Sequence, residues 1–456
     1  MNVYLQLEPS LSVSCGADGS ISVVTGELVV LRHVGEPAAV REALMTLARS
    51  HTDESTLDAR VVEAGGVESL LRWRHLLALC LDRGLIVYRV EIGGAWLATI
   101  VPRGSGVEAP QSRAVVGGAR RLSRFAWLRR AGDHMLLESP LARVIVEGGS
   151  TALAVIGGLE HATTERSDEA ACLRGLLDQY GFLEPEGGEE SPASLVWEFH
   201  DALFHHASRL RAGTTSGATY RMRGRLPAWP AVKRGGTGAR VALDVPDADA
   251  IAGSDLPFAV VAARRQSVRR SSAPLSLNEL SEFLFRTFHL SPVETGESIE
   301  RVRRPVPSGG GLHELETYLA VRRCVGLPTG SYWYDSRHHE LETLGRDEAV
   351  VQAFTDQASR SWGWEYPPPD VLITIAARVP RVAWKYEGNA YRVVLLDAGV
   401  MMQMMYLVAT AMGLAPCAIG NGDPALFAAL TGCDPFEETS VGEFALSGRT
   451  SPAGAG

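Results

Sequence analysis

Hydrophobic and polar positions along this chain switch repeatedly between a helical and a strand period. From Val67 to Asp82, Leu70, Leu71, Trp73, Leu76, Leu77 and Leu81 recur near helical spacing, and Gly84 ends the run. Leu85-Ile86-Val87-Tyr88 then reads as a strand. Arg121 to Leu137 predicts paired strands around Ala131-Gly132-Asp133. Ser139-Pro140 predicts a helix start, because proline is tolerated in a first turn. Asp168 to Tyr180 predicts a helix that stops at Gly181 before Phe182-Leu183. Helices capped by a strand predict two winged-helix-like modules, over 1–105 and 106–190. Residues 191–255 predict a helix and a long connection rich in Gly, Pro and Arg, leaving 256–456 as a further domain. There Leu275 to Leu280 opens a capped helix, Thr317 to Val321 is a strand, and Ser331 to Leu341 is a hairpin turning at Asp335 to Arg337. Residues 370–377 predict a buried strand and Val393 to Leu396 another, followed by an apolar helix from Ala398 to Met412. Its Met401, Met402, Met404 and Met405 are core filler, and Gln403 is a polar exception.

Composition narrows the class. A chain of 456 residues exceeds one compact core and predicts two to four domains. With 46% hydrophobic and 21% charged residues it has an ordinary globular balance. A net charge of −9 argues against general affinity for nucleic acid. The cluster Arg120, Arg121, Arg124, Arg129 and Arg130, with Phe125 and Trp127 between, reads as the outer face of a half-buried strand. No run of about 18 apolar residues is evident, so no membrane span is expected. Met1 to Pro9 lacks the pattern of a signal peptide, which predicts a cytoplasmic protein. Six scattered cysteines without a CxxC pair predict reduced thiols and no zinc site. His200, His205 and His206 lack the i, i+4 spacing of helical metal ligands, so no metal is expected.

Four segments carry candidate chemistry. Arg264-Arg265-Gln266-Ser267-Val268-Arg269-Arg270 sets guanidinium groups around a hydroxyl, a combination suited to a phosphate. Pro307-Ser308-Gly309-Gly310-Gly311 removes Cβ atoms where a planar ligand could approach the backbone. It is neither a P-loop, lacking the Lys-Ser/Thr, nor a dinucleotide fingerprint. Cys417-Ala418-Ile419-Gly420-Asn421-Gly422 is a second glycine loop. Trp384-Lys385-Tyr386-Glu387-Gly388-Asn389-Ala390-Tyr391-Arg392 sets a Lys and a Tyr side by side before the apolar helix, which is how acid/base groups are placed at the mouth of a core. Singly, Lys385 reads as a surface lysine and Tyr386 as an anchor.

Taken together these segments resemble the SagB-type, or azoline, dehydrogenases of the nitroreductase-like flavoenzymes. The resemblance is strong over 256–449 and moderate over 118–255, where Trp197-Glu198-Phe199-His200-Asp201 is also reminiscent of the family. It implies an α+β fold, an antiparallel sheet wrapped by helices, and FMN as cofactor. By resemblance, Arg265, Gln266, Ser267 and Arg269 hold the FMN phosphate; many relatives have Arg where this chain has Gln266. Pro307, Ser308, Gly309 and Gly310 then surround the flavin ring, a backbone amide near Gly420 faces it, and Arg449 reaches the phosphate. Lys385 and Tyr386 are the implied catalytic pair. The implied reaction oxidises azolines of a ribosomal precursor peptide to azoles, in a homodimer, with a cyclodehydratase as a possible partner. N-terminal modules of this kind resemble leader-peptide recognition elements. The alternatives are an NAD(P)H-dependent nitro or quinone reductase, and a non-catalytic peptide scaffold.

Overall fold

A computed structural model describes all residues except 17, 26–27, 104–105, 113–119, 150–151, 153–155, 158–166, 188–190, 210–215, 293–298, 346 and 451–456. The chain forms two compact units, Met1–Ser216 and Gly217–Gly456.

In the first unit, strands run in the order Asn2–Leu7, Ile86–Ile92, Ala95–Pro102, Val144–Gly148, His134–Glu138 and Trp127–Ala131 in one sheet. This corrects the division at residue 105. Strands from both sides of that boundary pair directly, as in Val146 opposite Ile100, and one hydrophobic core runs from Leu5 to Leu183. The helix read at Val67–Asp82 starts earlier, at Glu54, capped by the Asp53 side chain and kinked at Gly66 (φ +71°). The strand pair around Gly132 and the helix Asp168–Gln179 are present as read. Ser139-Pro140 does not start a helix. Three residues later the β-branched run Val144-Ile145-Val146 enters the sheet, which leaves room only for a turn.

The second unit is built on a seven-stranded antiparallel sheet. Its order is Arg240–Ala242, Glu340–Gly345, Gly330–Asp335, Leu315–Val321, Val371–Ala377, Thr439–Arg449 and Leu414–Ile419. Both faces are covered, so the central strands read as continuous apolar runs. Val371, Ile373 and Ile375 pack with helices Leu277–Phe288 and Ala390–Ala411. Leu372 and Ala376 pack with Glu348–Ser361 and Pro424–Thr431. The helix at Leu277 carries the expected capping box between Ser276 and Glu279.

Three readings change here. Val393–Leu396 is helix, part of Ala390–Ala411, since a short apolar run fits strand or buried helix equally and no breaker separates it from Met412. That 22-residue helix is apolar enough by composition to cross a membrane, contrary to the expectation that no such run exists. It packs instead through Val394, Ala398, Met401, Met405 and Ala409, with Gln403 exposed. The described part of the connection is not slack either. Arg240–Ala242 is an edge strand of the sheet, and the residues from Gly217 onward belong to this unit, so it begins well before 256.

Gly448 lies against the backbone of Ala273, Pro274 and Leu275, where a Cβ would overlap main-chain atoms, whereas a Cβ at Gly420 meets nothing within 4 Å. Gly448→Ala should therefore destabilise the chain by about 1–3 kcal/mol in urea unfolding, and Gly420→Ala should leave the midpoint unchanged. Equal midpoints for the two variants would contradict this packing.

Candidate active site

The glycine loop is seated by two buried carboxylates. Gly309 N–H donates to both oxygens of Asp397, at 3.1 and 2.9 Å, from the N-terminal half of the helix Ala390–Ala411. Ser308 Oγ accepts from His313 N–H at 2.9 Å and donates to Glu314 Oε2 at 3.3 Å. Glu314 is fully buried beside Asp397, and its Oε1 has no hydrogen-bond partner among the described residues. Burial, then the Asp397 charge, push its carboxyl up to about 7. Among acidic residues of the loop's surroundings it thus sits at the pH where a carboxyl exchanges its proton readily.

Lys385 and Tyr386 follow the short helix Val379–Ala383, with both amides bonded to Val382 O. Lys385 is buried, and its Nζ stands 5.3 Å from the Tyr386 ring centroid and 5.8 Å from that of Tyr220. Both polar ends converge on Gly310. A Cβ there would lie 2.5 Å from Tyr386 Oη and 2.7 Å from Lys385 Nζ, and Gly310 has φ +63°, so glycine is required twice over. Of the 44 Lys and Arg residues only Lys233 and Lys385 are lysines. The chain thus places one of its two lysines here, a compact amino group on a flexible stem where an arginine would present a planar fork.

The arginine segment lies against the other end of the long helix. Ser267 Oγ and Tyr406 Oη are 2.8 Å apart, and Arg265 stacks over the Tyr406 ring at 5.2 Å. Tyr406 Oη accepts from Ala418 N–H at 2.8 Å, next to the strand end that leads into Gly420. Arg269 lies 5.9 and 5.6 Å from the rings of Trp362 and Tyr366. Ser272 N–H donates to Arg449 O, and the Arg449 guanidinium bonds Glu279 at 2.7 Å. Gln266 and Pro307 are exposed. The structure thus gathers most of the predicted residues into two groups. Arg265 and Ser267 lie near Tyr406, and Ser308, Gly309, Gly310, Lys385 and Tyr386 lie near Asp397, whereas the Arg449 guanidinium is engaged by Glu279. The groups sit on one helix, nine residues or about 13 Å of helical rise apart.

Sequence reasoning missed Glu314, Asp397, Tyr406 and Glu443. Asp397 was the legible one, a lone acid in an apolar helix. Glu443 is buried with its carboxylate where a Cβ of Gly422 would be, and burial, then Asp423, push it up to about 7. At the surface of the first unit His200 stands 3.3 Å from Glu198 and 3.7 Å from Asp201, an exposed cluster of a kind common without a metal.

Comparison with known proteins agrees with this architecture. The nitroreductase family description matches residues 262–446, and that of the cyanobactin oxidase ThcOx matches 120–214. A nitroreductase-family protein of Methanocaldococcus jannaschii, MJ1384, is 32% identical over 40% of this chain and 85% of its own length. The chain belongs to the nitroreductase family. The trifolitoxin-processing protein TfxB of Rhizobium leguminosarum bv. trifolii is 27% identical over 32% of this chain; the match spans only 40% of TfxB. Solved structures with a likeness include a nitroreductase-type protein of Ralstonia eutropha (19% identity, 52% of this chain, 99% of that one, TM-score 0.36). Another is the E. coli microcin synthetase McbBCD complex with truncated pro-MccB17 bound (18% identity, 52% of this chain, 84% of that one, TM-score 0.36). The expected α+β class, an antiparallel sheet wrapped by helices, is what the second unit has.

Glu314 gives the site a pH signature. In the unfolded chain its carboxyl titrates near 4.5, in the fold near 7. Between those values the folded chain keeps a proton that the unfolded chain has lost. Its contribution is therefore full below about 4.5 and gone as pH rises through 7, on the order of 3 kcal/mol. Glu314→Gln keeps the neutral shape, so its urea stability at pH 8 should exceed that of the wild type and fall less between pH 5 and pH 8. Glu443 would account for the slope that remains. An unchanged slope would show that Glu314 is ionised in the fold.

Proposed function

We propose that this chain is an FMN-dependent dehydrogenase that oxidises thiazoline or oxazoline rings of a ribosomally made precursor peptide to azoles. The observation that carries the reading is the convergence of Lys385 Nζ and Tyr386 Oη on Gly310, in a loop that buried carboxylates hold open. A small-molecule reductase that only passes electrons does not need such a pair. Azoline oxidation does, because the ring must lose the proton beside its carbonyl together with two electrons and a second hydrogen.

The residues present fit a flavin mononucleotide. Arg265, Ser267 and Arg269 offer charge and a hydroxyl to its phosphate, and the bare Gly309–Gly310 backbone lets Val393, Lys385 and Tyr386 close in on the loop. When bound, the flavin supplies the two-electron acceptor, which dioxygen can regenerate. Lys385, as the free amine, takes the ring proton and becomes the ammonium, and Tyr386 orients the ring or relays that proton. Asp397 and Glu314 keep the loop fixed while the Lys385 amine and the Tyr386 phenol stand over it.

The helix Ala390–Ala411 leaves Tyr391, Leu395, Leu396 and Val400 exposed on an otherwise apolar element. Such a face calls for cover, and a second copy of the chain in a homodimer supplies it while adding its own half of each site. TfxB is named for trifolitoxin processing, which supports a peptide as substrate, with a ring-forming enzyme as partner. The match over 120–214 to a cyanobactin oxidase supports the same reading over a nitro or quinone reductase. Rapid bleaching of bound flavin by NADPH, with no action on azolines, would favour the reductase instead.

Two measurements test the proposal. The purified protein should be yellow, and Arg265→Ala with Arg269→Ala should weaken FMN binding, each lost charged hydrogen bond costing about 1.5–3 kcal/mol. Full retention of FMN at low concentration would rule out the phosphate assignment.

With a heterocyclised peptide as substrate, Lys385→Ala should stay folded and flavin-loaded yet form azole about 10²–10⁴-fold more slowly, and Tyr386→Phe should separate proton transfer from packing. Mass spectrometry reads the loss of two hydrogens per ring. Wild-type rates in both variants would make the pair structural.

A further inference from the structure

Residues 217–233 lie between the two regions that the family descriptions match, 120–214 and 262–446. They form a strap that is bound along its length by the segment carrying Lys385. Gly217 and Glu387 exchange backbone hydrogen bonds at 3.0 and 2.9 Å, and Thr219 Oγ1 donates to Glu387 Oε2 at 2.9 Å. Tyr220 N–H donates to Lys385 O at 3.0 Å. Trp384 Nε1 donates to Leu226 O, Arg381 to Trp229 O, and Arg378 to Pro230 O and Ala231 O. Every one of these partners lies between Arg378 and Glu387.

Tyr220 is the strap residue that reaches the Lys385 side chain. Its ring centroid is 5.8 Å from Lys385 Nζ, 4.6 Å from the Arg223 guanidinium carbon and 6.0 Å, edge to face, from Trp384. Its backbone sits at φ +55°, a left-handed conformation that glycine takes without strain and that a bulky residue adopts only when its surroundings hold it there. The amide bond to Lys385 O and the carbonyl bond from Arg223 N–H do so. What tyrosine offers at this position, and glycine would not, is the ring.

We infer that Tyr220 is a positioning residue for Lys385, its ring forming with that of Tyr386 the aromatic wall that holds the amino group over Gly310. Two ring faces limit where the amino group can stand and attract the ammonium that forms once it has taken the ring proton. Without Tyr220 the flexible four-carbon stem of Lys385 would be restrained on one side only. The inference rests on the reading of Lys385 as the group that takes the ring proton, and its test has an arm that does not depend on that reading.

The chain has just two lysines, so full-length protein labelled with ¹³C-lysine gives two sets of side-chain signals. The Lys385 ε-methylene should be shifted by the ring currents of Tyr220 and Tyr386 and should give a nuclear Overhauser contact to the Tyr220 ring. In Tyr220→Leu the Lys385 signal should move toward its random-coil position while Lys233 stays in place, and in Tyr220→Phe it should stay. Azole formation should fall about ten- to a hundredfold in Tyr220→Leu with flavin content unchanged, and return with Tyr220→Phe. An unmoved Lys385 signal or undiminished turnover in the Leu variant overturns the inference. If the wild type makes no azole, the proposed function fails and the lysine signals alone decide the positioning. If the Leu variant does not fold, the Overhauser contact in the wild type decides, and its absence overturns the claim.

Discussion

The second unit depends on one contact, the Gly309 amide held between both oxygens of Asp397. A buried carboxylate needs a donor, and a glycine loop without side chains needs something to fix its shape. Each answers the other here. Because Asp397 belongs to the helix that covers the sheet, the loop inherits the rigidity of that packing. The adjacent Glu314 holds the other side of the loop by accepting from Ser308 Oγ, and burial keeps its carboxyl well above the usual carboxylate range.

The charged interior around this pair is unusually dense. Glu316 on the central strand pairs with Arg378 at 3.0 Å, and Arg304 is buried close to both. On the same strand Tyr318 bonds Glu438, which also bonds Lys233. Burying so many charges adds little net stability over an apolar core, but removing one partner leaves the other uncompensated. Such an interior tolerates few substitutions, and it holds the sheet and the loops in one arrangement.

The sequence made the site's chemistry legible wherever several unusual residues were contiguous. The Arg-Gln-Ser-Val-Arg run, the triple glycine and the Lys-Tyr pair were each found that way, and the nitroreductase family within which they pointed is the one to which the chain belongs. The sheet order could not be read, because pairing such as Leu315 with Ala377 joins residues far apart in the chain. Val393–Leu396 was misread because four apolar residues carry no period of their own. Glu314 was invisible for a related reason. Alternation in a strand does not reveal which polar residue faces a buried partner on another element. The boundary at 105 failed because a turn-rich stretch between two strands of one sheet looks like a linker.

The strap also alters where this protein can be divided. A fragment beginning at residue 262, where the family match starts, would lose the edge strand Arg240–Ala242 and the carbonyls of Leu226, Trp229, Pro230 and Ala231, which accept from Trp384, Arg381 and Arg378. Each buried donor stripped of its acceptor costs about 1–3 kcal/mol, comparable in sum to the whole stability of an ordinary domain. The smallest autonomous piece is therefore longer than the shared family core, because the added forty-five or so residues supply the hydrogen-bond partners of the segment that bears the lysine.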